Sequence, residues 1–138
     1  MSLIVVGIVW WMFGMVQSQD SVLLKDLQWK NRVVLYFPGE AATWEEPSNA
    51  QISALKERKV LYWVYGDVSI SNAGKSLHPS EWERMKRAYV PKSNKDLWLL
   101  IGLDGGVKAV DQSNLDWSTI FKLIDGMPMR RSEIRNGS

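Results

Sequence analysis

Short uninterrupted apolar runs alternate with stretches of helical periodicity along most of this chain. Val33-Val34-Leu35-Tyr36-Phe37 is apolar throughout, β-branched at its start and stopped by Pro38-Gly39. Such a run predicts a strand covered on both faces, because a half-exposed strand would alternate. Val60 to Tyr65, closed by Gly66-Asp67, and Leu97 to Ile101 predict two more strands. Asp104-Gly105 is a two-residue hairpin signal that returns the chain through Val107 to Val110 as an edge strand.

The stretches between these runs predict helices. Val22 to Leu27 reads as a short one. Ser48 and Gln51 have capping-box spacing behind Pro47, so a helix should run to about Arg58 and bury Ile52 and Leu55. Ser69 to His78 is polar and reads as a loop. Pro79 in a first turn, with a second box from Ser80 to Glu83, opens a helix that should bury Trp82, Met85 and Tyr89. Trp117, Ile120, Phe121 and Ile124 recur at helical spacing within a last helix from about Asp116 to Asp125. The order is α-β-α-β-α-β-β-α. Strands followed by crossing helices build a parallel core, and the hairpin adds an antiparallel pair. The predicted fold class is α/β: a thioredoxin-like, mixed four-stranded sheet flanked by helices, with an N-terminal apolar leader helix.

Leu3 to Val16 contains only apolar residues and glycine, and no charged side chain precedes Asp20. These 14 residues would span about 21 Å as a helix, short of the roughly 30 Å hydrocarbon core of a bilayer. That length suits a secretory signal with cleavage after Ser18, although no Lys or Arg precedes the run. An uncleaved anchor over residues 1–18 is the alternative. Both readings put residues 19–138, a single domain, in the periplasm or outside the cell. Membrane contact would then be confined to residues 3–16.

Composition narrows the chemistry. A net charge of +2 over 138 residues gives no basis for binding nucleic acid. Six of the 8 tryptophans follow the leader. Packing is their expected role, with Trp44 and Trp82 the candidates if an exposed binding patch exists. The chain has 0 cysteines, which rules out disulfides, thiolate nucleophiles and thiolate metal sites. In thioredoxins and peroxiredoxins the loop after the first strand carries the reactive cysteine. Here that loop holds Pro38, Thr43, Trp44, Glu45 and Glu46, with Glu46 roughly where the thiolate would stand. A carboxylate has no two-electron sulfur chemistry, so peroxide reduction and disulfide exchange are excluded. Glu45 and Glu46 are expected at a helix N-terminus, where the dipole favours them. The lone His78 precedes Pro79 and suits a capping or surface role. Gly102 to Gly106 joins two strands, so it reads as a hairpin and not as a phosphate cradle. Asp67, Asp104, Asp111 and Asp116 lack calcium-loop spacing. No catalytic residue, metal site or cofactor is assigned.

The chain closes on Leu123-Ile124-Asp125-Gly126-Met127-Pro128-Met129-Arg130-Arg131-Ser132-Glu133. Side chains past the Gly126 stop are specified more tightly than a helix end requires. Trp29, Arg32, Lys108, Met127, Pro128, Met129, Arg130 and Arg131 form the candidate constellation. One reading is a structural clasp, in which Arg130 binds carbonyls or a carboxylate such as Asp125 while Met127 and Met129 plug an apolar groove. The other is a basic, aromatic-rimmed patch for an anionic group.

Three segments taken together, Leu27 to Val33, Leu100 to Lys108 and Phe121 to Glu133, resemble the prokaryotic branch of the DUDES domain. This uncharacterised thioredoxin-like domain also occurs in secreted vertebrate matrix proteins such as the sushi-repeat proteins. Leu103 departs from the lysine more usual there. The resemblance implies the fold and export, without an activity. The expected function is a non-catalytic binding or protein-interaction module with an unknown protein or envelope partner. A cysteine-independent enzyme using Glu45, Glu46 or Arg32, and a structural envelope protein, are the alternatives.

Overall fold

The computed structural model describes residues 21–67 and 70–137, so the leader and its cleavage point lie outside the described residues. In chain order the elements are β1 (Ser21–Val22), a 3-10 turn (Leu24–Leu27), β2 (Arg32–Phe37), α1 (Asn49–Glu57), β3 (Val60–Val64), β4 (Ser76–Leu77), α2 (Pro79–Tyr89), β5 (Leu97–Ile101), β6 (Val107–Asp111), α3 (Trp117–Asp125) and α4 (Pro128–Arg135). The main sheet has the order β3-β2-β5-β6. β2 and β3 are parallel, while β5 is antiparallel to both β2 and β6. This is the expected mixed four-stranded sheet.

Its two faces carry separate cores, as the period of two along β2 dictates. Val33, Leu35 and Phe37 meet Trp63, Leu99 and Met85 of α2. Val34 and Tyr36 meet Leu55 of α1 and Trp117, Ile120 and Ile124 of α3. Trp44 and Trp82 are both half-buried but belong to opposite faces, Trp44 against Tyr36 and Tyr62, Trp82 against Phe37 and Tyr65. They cannot form one exposed patch.

Other expectations change in detail. Val22 does not begin a helix; it pairs with Leu77 in a small parallel sheet, and only Leu24–Leu27 coils, burying Leu24 and Leu27. Ile52 is 52% exposed and Tyr89 37% exposed, so neither joins a core. Their helices bury narrower stripes, centred on Leu55 and on Glu81 with Met85. Glu81 accepts the Leu24 amide at 3.0 Å and Arg84 at 2.9 Å, tying the 3-10 turn to α2. Ser80 is not the cap of α2. His78 is, its Nδ1 accepting the Ser80 amide at 3.1 Å. Most consequentially, the segment beyond Gly126 is a fourth helix with Pro128 in its first turn, a position where the missing N–H costs nothing.

The two edges of the sheet differ. At β3 the side-chain amide of Asn72 accepts the Tyr62 N–H at 2.8 Å and donates to the Val60 carbonyl at 2.9 Å. Ile70 adds a carbonyl for the Val64 amide at 3.2 Å. Residues 70–72 thus fill the hydrogen-bonding row that a further strand would use. β6 ends the sheet on the other side, with Lys108, Val110 and Asp111 exposed.

Candidate functional site

β2 ends at Phe37 and runs into the loop from Pro38 to Pro47. Asp96 fixes the beginning of that loop, accepting the Gly39 amide at 2.7 Å and the Tyr36 hydroxyl at 2.8 Å. A Cβ on Gly39 would lie 2.3 Å from the Asn94 carbonyl, so only glycine fits this approach. Beyond it the chain opens a recess of about 370 Å³ walled by Tyr36, Thr43, Trp44, Glu45, Glu46 and Trp117, among others. Pro38 is exposed and outside its wall. Trp44 lies over Tyr62 with 5.5 Å between ring centroids, and its Nε1 donates to Glu46 at 2.8 Å. Glu45 and Glu46 precede Ser48, the residue that caps α1, so they stand outside the first helical turn. Asp116 and Gln51 also line the recess, and both are engaged as caps, Asp116 with Ser118 and Gln51 with Ser48. Burial, and then the hydrogen bond and charge of Asp96, push the Tyr36 hydroxyl far above its usual range. Burial and then Glu46 push Tyr62 upward as well.

The start of β2 lies at the other end of the sheet. Arg32 and Arg130 are each 1% exposed. Arg130 donates from Nη2 to Glu57 Oε1 at 2.8 Å, from Nη1 to Glu133 Oε2 at 3.2 Å, and from Nε to Asp125 Oδ1 at 3.3 Å. Arg58 grips Asp125 with two bonds, 2.9 Å from Nε and 2.8 Å from Nη2. Arg32 donates from Nη1 to the Arg58 carbonyl at 2.9 Å and to Glu133 at 3.3 Å. Three arginines therefore face three carboxylates across β2, α1, α3 and α4. Hydrogen bonds from Arg58, with Arg130 adding to them, hold the Asp125 carboxyl below its ordinary value despite some burial. Burial works against the charge of Arg130, but Glu133, Glu57 and Asp125 outweigh it and its pKa is raised.

The predicted constellation divides accordingly. Arg32, Lys108, Met127, Pro128 and Met129 share the wall of a second recess, of about 340 Å³, with the hairpin residues Leu103 and Asp104. Lys108 is held by Asp104 at 2.7 Å, which with the Gly106 amide keeps that carboxyl low. Met127 packs on the core, whereas Met129 is 40% exposed and lines the recess. Arg131 points away, lining a shallow outer hollow with Pro128 and Arg135. Trp29 is 64% exposed at φ +69°, its amide donating to the Leu103 carbonyl at 2.6 Å. Sequence reasoning passed over Glu57 and Arg58. Glu133 sits three residues beyond Arg130, a spacing that joins the two only because α4 is helical. Glu57 carries no such signal.

Among solved structures, the chain is similar to a 2-Cys peroxiredoxin of Plasmodium vivax in its reduced form, with 18% identity, a TM-score of 0.53, and coverage of 79% of this chain and 84% of that one. A thioredoxin peroxidase I of Plasmodium yoelii matches at 21% identity and a TM-score of 0.48, over 83% of this chain and 81% of that one. The likeness is one of fold, and the fold is thioredoxin-like. No curated protein matches. The family model described as "Domain of unknown function (DUF4174)" matches residues 23–133, and the chain belongs to that family.

Proposed function

We propose that this chain is an exported thioredoxin-like binding module without thiol chemistry, and that the recess at the end of β2 is where it takes its ligand. The observation that carries this reading is the state of the polar groups around that recess. Glu46 is bonded to Trp44, Asp116 and Gln51 act as helix caps, and the Tyr36 hydroxyl is bonded to Asp96. Groups held in this way shape a wall; Glu45, the wall carboxylate without such a bond, is exposed to solvent, whereas acid-base turnover needs a group positioned within reach of a reacting proton. This favours binding over the cysteine-independent enzyme. An aromatic floor under Glu45, Glu46 and Asp116, with no lysine or arginine in the wall, suits a cationic side chain on a protein or envelope partner. Export rests on the apolar run at Leu3 to Val16. The narrower kinship with DUDES-type domains rests on the three segments quoted above.

Tryptophan fluorescence tests the site, because Trp44 and Trp117 form part of its wall. Titration with a short lysine-containing peptide should give a saturable change that weakens with salt and disappears in Trp44→Ala. Equal binding of a glutamate-containing peptide, or no saturation, would overturn the reading. Mass analysis of the exported product should find Gln19 at its N-terminus.

A further inference from the structure

The recess between the hairpin and α4 lies at the opposite end of β2 from the recess walled by Tyr36 and Trp44. Among the described residues, Arg32 Nε is the buried side-chain nitrogen or oxygen without a hydrogen-bond partner. Leaving a buried donor of a charged group unpaired is costly, and native structures rarely do so without a use for it. The rest of that guanidinium is only partly compensated. Its carboxylate contact, Glu133, is shared with Arg130, which has Glu57 and Asp125 besides. Arg32 forms part of the wall of this recess.

A second donor set meets the same space. Met127, Pro128 and Met129 are the N-cap and first two residues of α4. Met127 offers no side-chain cap, and the amides of Met129 and Arg130 have no carbonyl four residues back within the helix. The positive end of the helix thus opens beside a buried arginine, with Lys108 in the same wall, its ammonium paired with the Asp104 carboxylate at 2.7 Å. Beyond that ion pair the wall is apolar, from Leu103, Met127, Pro128 and Met129. A bare, strongly hydrated anion would gain little from such a lining. A carboxylate at the end of a hydrocarbon chain would satisfy both halves.

We propose that this recess binds an aliphatic carboxylate, its head accepting from Arg32 Nε and the first-turn amides of α4, and its tail lying along Leu103, Met127 and Met129. The test is an NMR titration of the 15N-labelled protein with sodium octanoate, acetate and inorganic phosphate. The Arg32 Nε–H and the amides of Met129 and Arg130 should shift along one saturable curve. Octanoate should bind at least about tenfold tighter than acetate, since burying two methylenes suffices for that. Met129→Asp supplies an internal carboxylate to the same amides at an exposed position. It should abolish binding while leaving the melting temperature unchanged. Lys108→Gln should weaken binding several-fold, and Arg131→Ala should not change it. Absence of saturation at these three signals, phosphate binding tighter than octanoate, or unaltered binding by Met129→Asp would each overturn the proposal. None of these outcomes bears on the peptide titration at the other end of the sheet.

Discussion

The two ends of β2 are about 17 Å apart and solve opposite problems. At the Phe37 end the chain leaves the sheet for a long loop, and polar side chains hold a recess open. At the Arg32 end buried charges draw four elements together, leaving a single nitrogen unpaired. The open end combines short-range bonds, Trp44 to Glu46 over two residues and Ser48 to Gln51 over three, with two long-range anchors from one loop, Asp96 at 57 residues from Gly39 and Asn94 at 54 from Glu40. The closed end is non-local, Arg130 reaching 73 residues back to Glu57 and Arg32 reaching 101 forward to Glu133. Damage at the closed end should therefore threaten the fold, and damage at the open end should chiefly alter the loop.

The sharpest way to break that contrast is Arg130→Ala. It strands carboxylates arranged around a buried cation and should cost about 3 kcal/mol in urea unfolding. A loss below that of the open-end variants would invert the comparison. Asp96→Ala removes both anchors of the recess and should cost about 1.5 kcal/mol, with faster amide exchange at residues 39–46 than in the rest of the sheet. Asp125→Asn separates charge from shape. The carboxyl of Asp125 is lower in the folded chain than its ordinary 3.8. Its contribution is therefore complete above about pH 3.8 and is lost as pH falls through the native value. The variant should lose about 1 kcal/mol at neutral pH, a figure kept small by the partial exposure of Asp125, and should show a flatter acid limb. Arg131→Ala, next to the buried arginine but exposed, should stay within about 0.5 kcal/mol of the parent.

Where period and punctuation decide the outcome, the sequence is a sufficient guide. The apolar run at Val33 to Phe37 has to be covered on both faces, and it lies at the centre of the sheet. Asp104-Gly105 has to turn, and Gly105 does so at φ +84°. The failures have an equally physical origin. α4 has a weakly apolar surface and starts at a proline, so Met127-Pro128-Met129 reads as a wedge beyond a helix and not as the opening of another. Ile52 has the spacing of a core residue, yet α1 meets β3 over too narrow a stripe to cover it. The ion-pair network joins residues from four elements, and no periodicity records which carboxylate an arginine will find after the chain has folded. Arg32 and Arg130 can be singled out from sequence, whereas Glu57 could not.

The Asn72 side chain has a consequence for assembly. By occupying the row of donors and acceptors along β3 together with the Ile70 carbonyl, this amide does what an extra strand would do. Among the described residues, the main sheet is then left with β6 as its open edge. Two copies could meet there face to face and would present no fresh edge to a third, so strand pairing would stop at a dimer and not propagate into a fibre.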